Sequence, residues 1–101
     1  MKVILLAVSL FLFSGLLLSA DNKAENILLY QRDNGGWPKN YDQDHKHTGA
    51  AKQKLRSEKK KDDATFDNGA TYTEVRYLAK AFKSTGDKRF ETASLEGIEF
   101  M

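Results

Sequence analysis

The chain has 101 residues, with sixteen Lys and Arg, fourteen Asp and Glu, two His and no cysteine. It is one small domain at most, and it has no disulfide framework, no cysteine-based zinc site and no lipid-modified cysteine. Lys2 belongs to an apolar leader, so the remainder carries fifteen basic against fourteen acidic side chains. That balance gives no argument for nucleic acid as a partner.

Met1-Lys2 supplies a short positive start, Val3 to Leu18 is almost wholly apolar, and Leu18-Ser19-Ala20 ends in a small residue. This is the layout of a secretory signal peptide over residues 1–20, followed at once by polar, helix-competent sequence from Asp21. The apolar run is also barely long enough to serve as an uncleaved anchor. Cleavage is the expectation. It implies an extracellular or periplasmic protein with no stable membrane association once the leader is gone. An exported chain of about eighty residues without cysteine needs a metal, a partner or further sequence to be stable.

Asn22 or Asp21 caps a first helix reaching about Gln31, with Ala24, Ile27, Leu28 and Tyr30 or Gln31 on its apolar stripe and Leu29 near the edge. Asp33-Asn34-Gly35-Gly36 ends it, and Pro38 forces Trp37 into an extended conformation. Residues 42–63 are strongly polar and read as a solvated insertion. Within it, Ala50 to Lys60 can form an exposed helix anchored by Leu55 alone. From Thr71 the residues Val75, Leu78, Ala79 and Phe82 recur at helical spacing. Thr71 and Glu74 have the spacing of a capping box, or Asp67 or Asn68 serves as the cap. Gly86 closes this helix, and Asp87 caps another that carries Phe90, Ala93, Ser94, Gly97, Ile98 and Met101 to the last residue. The final stripe has no closing signal, so the expectation is an N-terminal fragment of a longer protein. No strand pattern occurs and the class is all-α. Glu25 to Tyr30 echoes Glu96 to Met101, which raises the possibility of a helical-hairpin repeat.

Several groups can be weighed for chemistry. Asp42-Gln43-Asp44-His45-Lys46-His47 mixes carboxylates and imidazoles, but it lacks both the spacing of a zinc site and the glycine and glutamate of a calcium loop. It reads as a solvated loop, and Lys59-Lys60-Lys61 reads as a solvated run cancelled by Asp62-Asp63. Trp37 either stacks on a sugar or fills the core, with the core favoured. Lys39, held beyond Pro38, suits an anionic ligand. Asp67 and Asn68 stand out, because capping needs one side-chain oxygen and two are present. They offer part of the oxygen shell of a hard cation such as calcium.

Ala24-Glu25 through Gln31-Arg32, Asn34-Gly35-Gly36-Trp37-Pro38-Lys39-Asn40, Asp67-Asn68-Gly69-Ala70-Thr71, Arg76-Tyr77-Leu78-Ala79 and Thr85-Gly86-Asp87 through Arg89-Phe90 to Gly97 together resemble the start of a pectate lyase of polysaccharide lyase family 10. The resemblance implies an α/α toroid of helical hairpins, here truncated, whose loops line a groove for polygalacturonate. It further implies cleavage by calcium-assisted β-elimination. Carried over residue by residue, Asp67 and Asn68 would hold the metal, with Trp37, Lys39 and Asn68 toward the substrate. The family's catalytic base is an arginine much later in the chain, with no match here, and Arg76 belongs to a helix segment instead. The chain alone is therefore expected to be inactive. Rival readings are a non-catalytic secreted carbohydrate-binding or scaffold module, and a helical toroid acting on neutral glycans or lipids.

Overall fold

The computed structural model describes residues 21–101, so the signal-peptide reading of residues 1–20 lies outside the described residues. Four α-helices follow one another: α1 (Asn22–Tyr30), α2 (Gly49–Ser57), α3 (Tyr72–Thr85) and α4 (Lys88–Phe100), with a 3₁₀ turn at Asp67–Gly69 before α3. Among the described residues there is no strand, and the fold is all-α. No helix among them is long and apolar enough to cross a membrane.

Local chemistry explains the helix ends. The Asp21 carboxylate accepts from the Ala24 amide at 2.8 Å and starts α1, while the Asp87 carboxylate accepts from Arg89 at 3.0 Å and starts α4. Gly86 closes α3 in the left-handed conformation at φ 72°, which costs glycine nothing. α3 and α4 then form an antiparallel hairpin that carries most of the helix–helix packing.

The core lies where α1 crosses that hairpin. Ala24 and Ile27 of α1 meet Val75, Leu78 and Ala81 of α3, Phe90 and Ala93 of α4, and Trp37 from the loop. The stripes differ in detail from the simple periodicities. Ala79 is exposed and Ala81 is buried, Leu29 is buried instead of marginal, and Ile98 of α4 and Met101 just after it are half exposed. The Trp37 ring packs directly against Gly97 of α4.

The polar stretch 42–63 is tied down more than its composition implies. Buried Asn26 donates its amide hydrogens to the carbonyls of Gln43 and His45 at 2.9 and 2.6 Å. Leu55 is its buried apolar anchor, as its isolation in the sequence requires. Lys59 corrects the reading of the lysine run as solvated. Its ammonium donates to the carbonyls of Leu28, Leu29 and Gln31 at 2.8, 3.4 and 2.9 Å, closing the C-terminus of α1. The Leu28 carbonyl also accepts from the Gln31 amide at 3.4 Å, but carbonyls at a helix C-terminus carry the negative end of the helix dipole, so a cation is the natural partner. Lys60 and Lys61 remain exposed.

Candidate functional site

Three segments converge beside the head of α3: the Gly35–Tyr41 turn, the Thr65–Thr71 loop, and the first turn of α3. Thr71 joins them. Its Oγ1 accepts from the Trp37 amide at 2.9 Å and lies 2.9 Å from the Thr65 carbonyl, to which it donates. The Thr65 amide in turn donates to the Trp37 carbonyl at 3.0 Å. Thr71 is fully buried and sits at φ 68°, ψ −52°, near the γ-turn region and strained for a β-branched residue. It therefore does not cap α3 with its side chain, and the capping-box reading of Thr71 and Glu74 is corrected. Neither Asp67 nor Asn68 caps α3 either. They form the separate 3₁₀ turn, with Asn68 at φ 54°.

Trp37 anchors the arrangement from below. It is completely buried, and its indole Nε1–H donates to the Ile27 carbonyl at 2.7 Å. The ring is thus part of the core, where it cannot stack on a sugar, so Trp37 is not a substrate platform in this structure. What it does is fix the chain direction, so that Pro38 follows buried and Lys39 leaves into solvent.

Lys39 and Asp67 come together at that surface, with Nζ 3.3 Å from Oδ2 and side chains 43% and 70% exposed. An ion pair this open contributes at most about 1 kcal/mol, so both partners are easily redirected to a ligand. The Asp67 carboxylate accepts no backbone amide, and the Asn68 side chain makes no hydrogen bond among the described residues. Asn68 also lines a shallow depression of about 110 Å³ with Lys39, Asn40, Tyr41, Thr73 and Glu74. That is room for a carboxylate or a hydrated ion; sites for whole small molecules run from roughly 300 Å³ upward.

Under this depression lies a carboxylate that the spacing of the sequence presents only as a cap. Glu74 is 3% exposed. Its Oε2 accepts from the Tyr41 hydroxyl at 2.8 Å and the Gln43 amide at 3.2 Å, and Thr73 Oγ1 lies 3.1 Å from Oε1. Position in the first turn of α3 adds the favourable end of the helix dipole. Burial, then the neighbouring Glu74 charge, push the Tyr41 phenol far above its ordinary range, so Tyr41 donates a hydrogen bond and does not act as a base. Its ring stacks on Tyr30 with centroids 4.0 Å apart. Tyr41 and Gln43 are thirty-three and thirty-one positions from Glu74, a separation at which no helical spacing reports contact.

The oxygens of Asp67 and Asn68 suit a hard cation in kind, but calcium takes six to eight ligands. Among the described residues no group of three or more His, Cys, Asp or Glu converges to hold a metal. These two residues fit as part of such a shell. Arg76 points away from any such role: its guanidinium is 3.1 Å from the Tyr72 hydroxyl and stacks over that ring on the exposed side of α3.

The family model for pectic acid lyase matches residues 31–101, more than two thirds of the chain, and takes in both the Gly36–Lys39 turn and the Asp67–Thr71 loop. No curated protein and no solved structure matches the chain.

Proposed function

The chain belongs to the pectic acid lyase family, and from that premise we propose that it is part of a secreted pectate lyase of polysaccharide lyase family 10. Its substrate is polygalacturonate, cleaved by β-elimination in an α/α toroid of helical hairpins. The observation that carries this reading is the surface pair Lys39–Asp67, oriented by buried Trp37 and Thr71 and free of backbone obligations.

The reaction removes a weakly acidic proton next to a uronate carboxylate, so charge must be stabilised where it develops. Calcium, when bound, would supply positive charge beside that carboxylate and make the neighbouring C–H more acidic. Asp67 and Asn68 are the residues of this chain that would help to hold it. Lys39, released from Asp67, supplies an ammonium for a uronate carboxylate. The buried Glu74–Tyr41–Gln43 network keeps the floor of the depression in place. None of these groups is a base for the proton, so this chain binds and positions while turnover requires an arginine that it does not match.

Two measurements test this. Affinity electrophoresis through polygalacturonate should retard the chain in the presence of calcium, and Asp67→Ala or Lys39→Ala should reduce that retardation with a stability change of no more than about 1 kcal/mol. Unaltered retardation in both variants would remove the proposed contacts. Incubation of the chain with polygalacturonate should release no unsaturated uronate; robust calcium-dependent product would show that a base is present after all.

A further inference from the structure

A second recess lies on residues that the first site does not use. α1, α2 and the start of α4 enclose a cleft of about 420 Å³, with Leu28 and Leu29 among its lining and Lys52, Arg56, Lys59 and Arg89 around it. The single carboxylate on that lining is Glu25. Beyond residue 20 the chain is within one charge of neutrality, so four cations at one cleft are a local concentration that composition alone does not produce.

The four cations differ in what they have left to offer. Lys59 is committed to three carbonyls at the end of α1, and Arg89 is committed to Glu25 and Asp87. Lys59 therefore adds a fixed positive charge, whereas Arg89 is neutralised by its two carboxylates. Burial lowers the pKa of Lys59, the direction in which a nearby anion would be welcome. Lys52 and Arg56 are exposed and form no ion pair among the described residues. They stand four positions apart on α2, where like charges oppose the helix, and an anion held between them reverses that effect.

We propose that this cleft binds the carboxylates of an acidic oligosaccharide, with Lys52 and Arg56 as the contacting groups. The choice of an acidic sugar over other carboxylates rests on the lyase reading. The cleft is on the scale of small-molecule sites, roughly 300–1,000 Å³, which suits a sugar unit better than an inorganic ion. The guanidinium of Arg56 offers the planar fork that pairs a carboxylate through two hydrogen bonds. Half-buried Leu28 gives the ring an apolar surface. The cleft lies outside the Lys39–Asp67 site and shares no lining residue with the depression there, so the chain would grip a polyuronate at two places.

The test is titration of the full chain with trigalacturonate, followed by backbone amide shifts. Residues 52–59 and 25–29 should move, and added salt should weaken the effect. Lys52→Gln should weaken binding about tenfold, the loss of one charge-assisted hydrogen bond, and Arg56→Gln by at least as much, since its fork makes two. Both side chains are exposed and form no ion pair among the described residues, so folding should persist. Equal shifts with neutral galactotriose, or with sulfate at the same concentration, would overturn the proposal, the latter marking an adventitious anion only. Shifts confined to residues 38–41 and 67–74 that vanish in Lys39→Gln would overturn the cleft and leave the lyase reading standing. Shifts confined to the cleft would support the cleft while removing Lys39 from the reading, and shifts at neither place would sink both.

Discussion

Thr71 shows how one residue can be held against its own preference. A β-branched side chain at φ 68° is strained by roughly 1–3 kcal/mol, and glycine would remove that strain. Glycine would also remove the hydroxyl that accepts from the Trp37 amide and donates to the Thr65 carbonyl. Leaving a buried amide unpaired costs about 1–3 kcal/mol, comparable to the strain itself. Thr71→Ser keeps the hydroxyl and should leave stability within about 1 kcal/mol, whereas Thr71→Val keeps the shape and should lose about 2 kcal/mol by chemical denaturation. Because the Thr71 hydroxyl bonds both loops, beside the single Thr65 amide to Trp37 carbonyl bond, Thr71→Val should also loosen Lys39 from Asp67. Equal stabilities for the two variants would mean that the hydroxyl is not what holds this backbone.

At the scale of elements, the packing of α3 against α4 turns on the absence of a side chain. A Cβ on Gly97 would lie 2.7 Å from Cζ3 of Trp37 and closer still to Cγ2 of Val75. In an exposed helix, replacing glycine with alanine gains about 1 kcal/mol. Here the overpacking of a ring and a branched side chain that cannot both retreat should outweigh it, giving a net loss of about 1–3 kcal/mol for Gly97→Ala. Gly49→Ala is the control, since nothing lies within 4 Å of the added atom, and its melting temperature should not fall. The same element shows what local sequence can and cannot report. The stops and starts at Gly86 and Asp87 are properties of single residues acting on adjacent backbone, so they are legible in order along the chain. The pairing of Trp37 with Gly97, and of Glu74 with Tyr41, spans tens of residues and has no period. Glu74 looked like a cap because its immediate neighbours allow that, and Lys59 looked solvated because its neighbours are charged. Within the candidate site, the proximity of Lys39 and Asp67 was not legible either, although each residue was singled out; Thr71 brings them together, and its role is tertiary.

At the scale of the described residues as a whole, two sets of ion pairs tie segments far apart in the chain. Arg32, with its side chain 4% exposed, pairs with Asp63 at 2.6 Å and ties the end of the polar stretch to the first turn. Arg89 bridges Glu25 of α1 and Asp87 ahead of α4 at 2.6 and 2.7 Å. Hydrogen bonds from Arg32 hold the Asp63 carboxyl below its ordinary value of 3.8, and those from Arg89 do the same for Asp87. A folded-state pKa below the unfolded one means that the unfolded chain binds the proton more readily. The stability these pairs supply is therefore complete above the ordinary value and lost as pH falls through the lower folded values. Thermal melts followed by circular dichroism should change little from about pH 7 to about pH 5 and fall steeply below about pH 4. Asp63→Asn should melt lower at neutral pH, because it leaves the buried Arg32 guanidinium without its counter-charge. It should also show a shallower acid limb, because one of the two titrating groups is gone. Parallel acid limbs in the parent and Asp63→Asn would show that the tie between Arg32 and Asp63 does not govern acid stability, and that the polar stretch is held chiefly by Lys59 and Asn26.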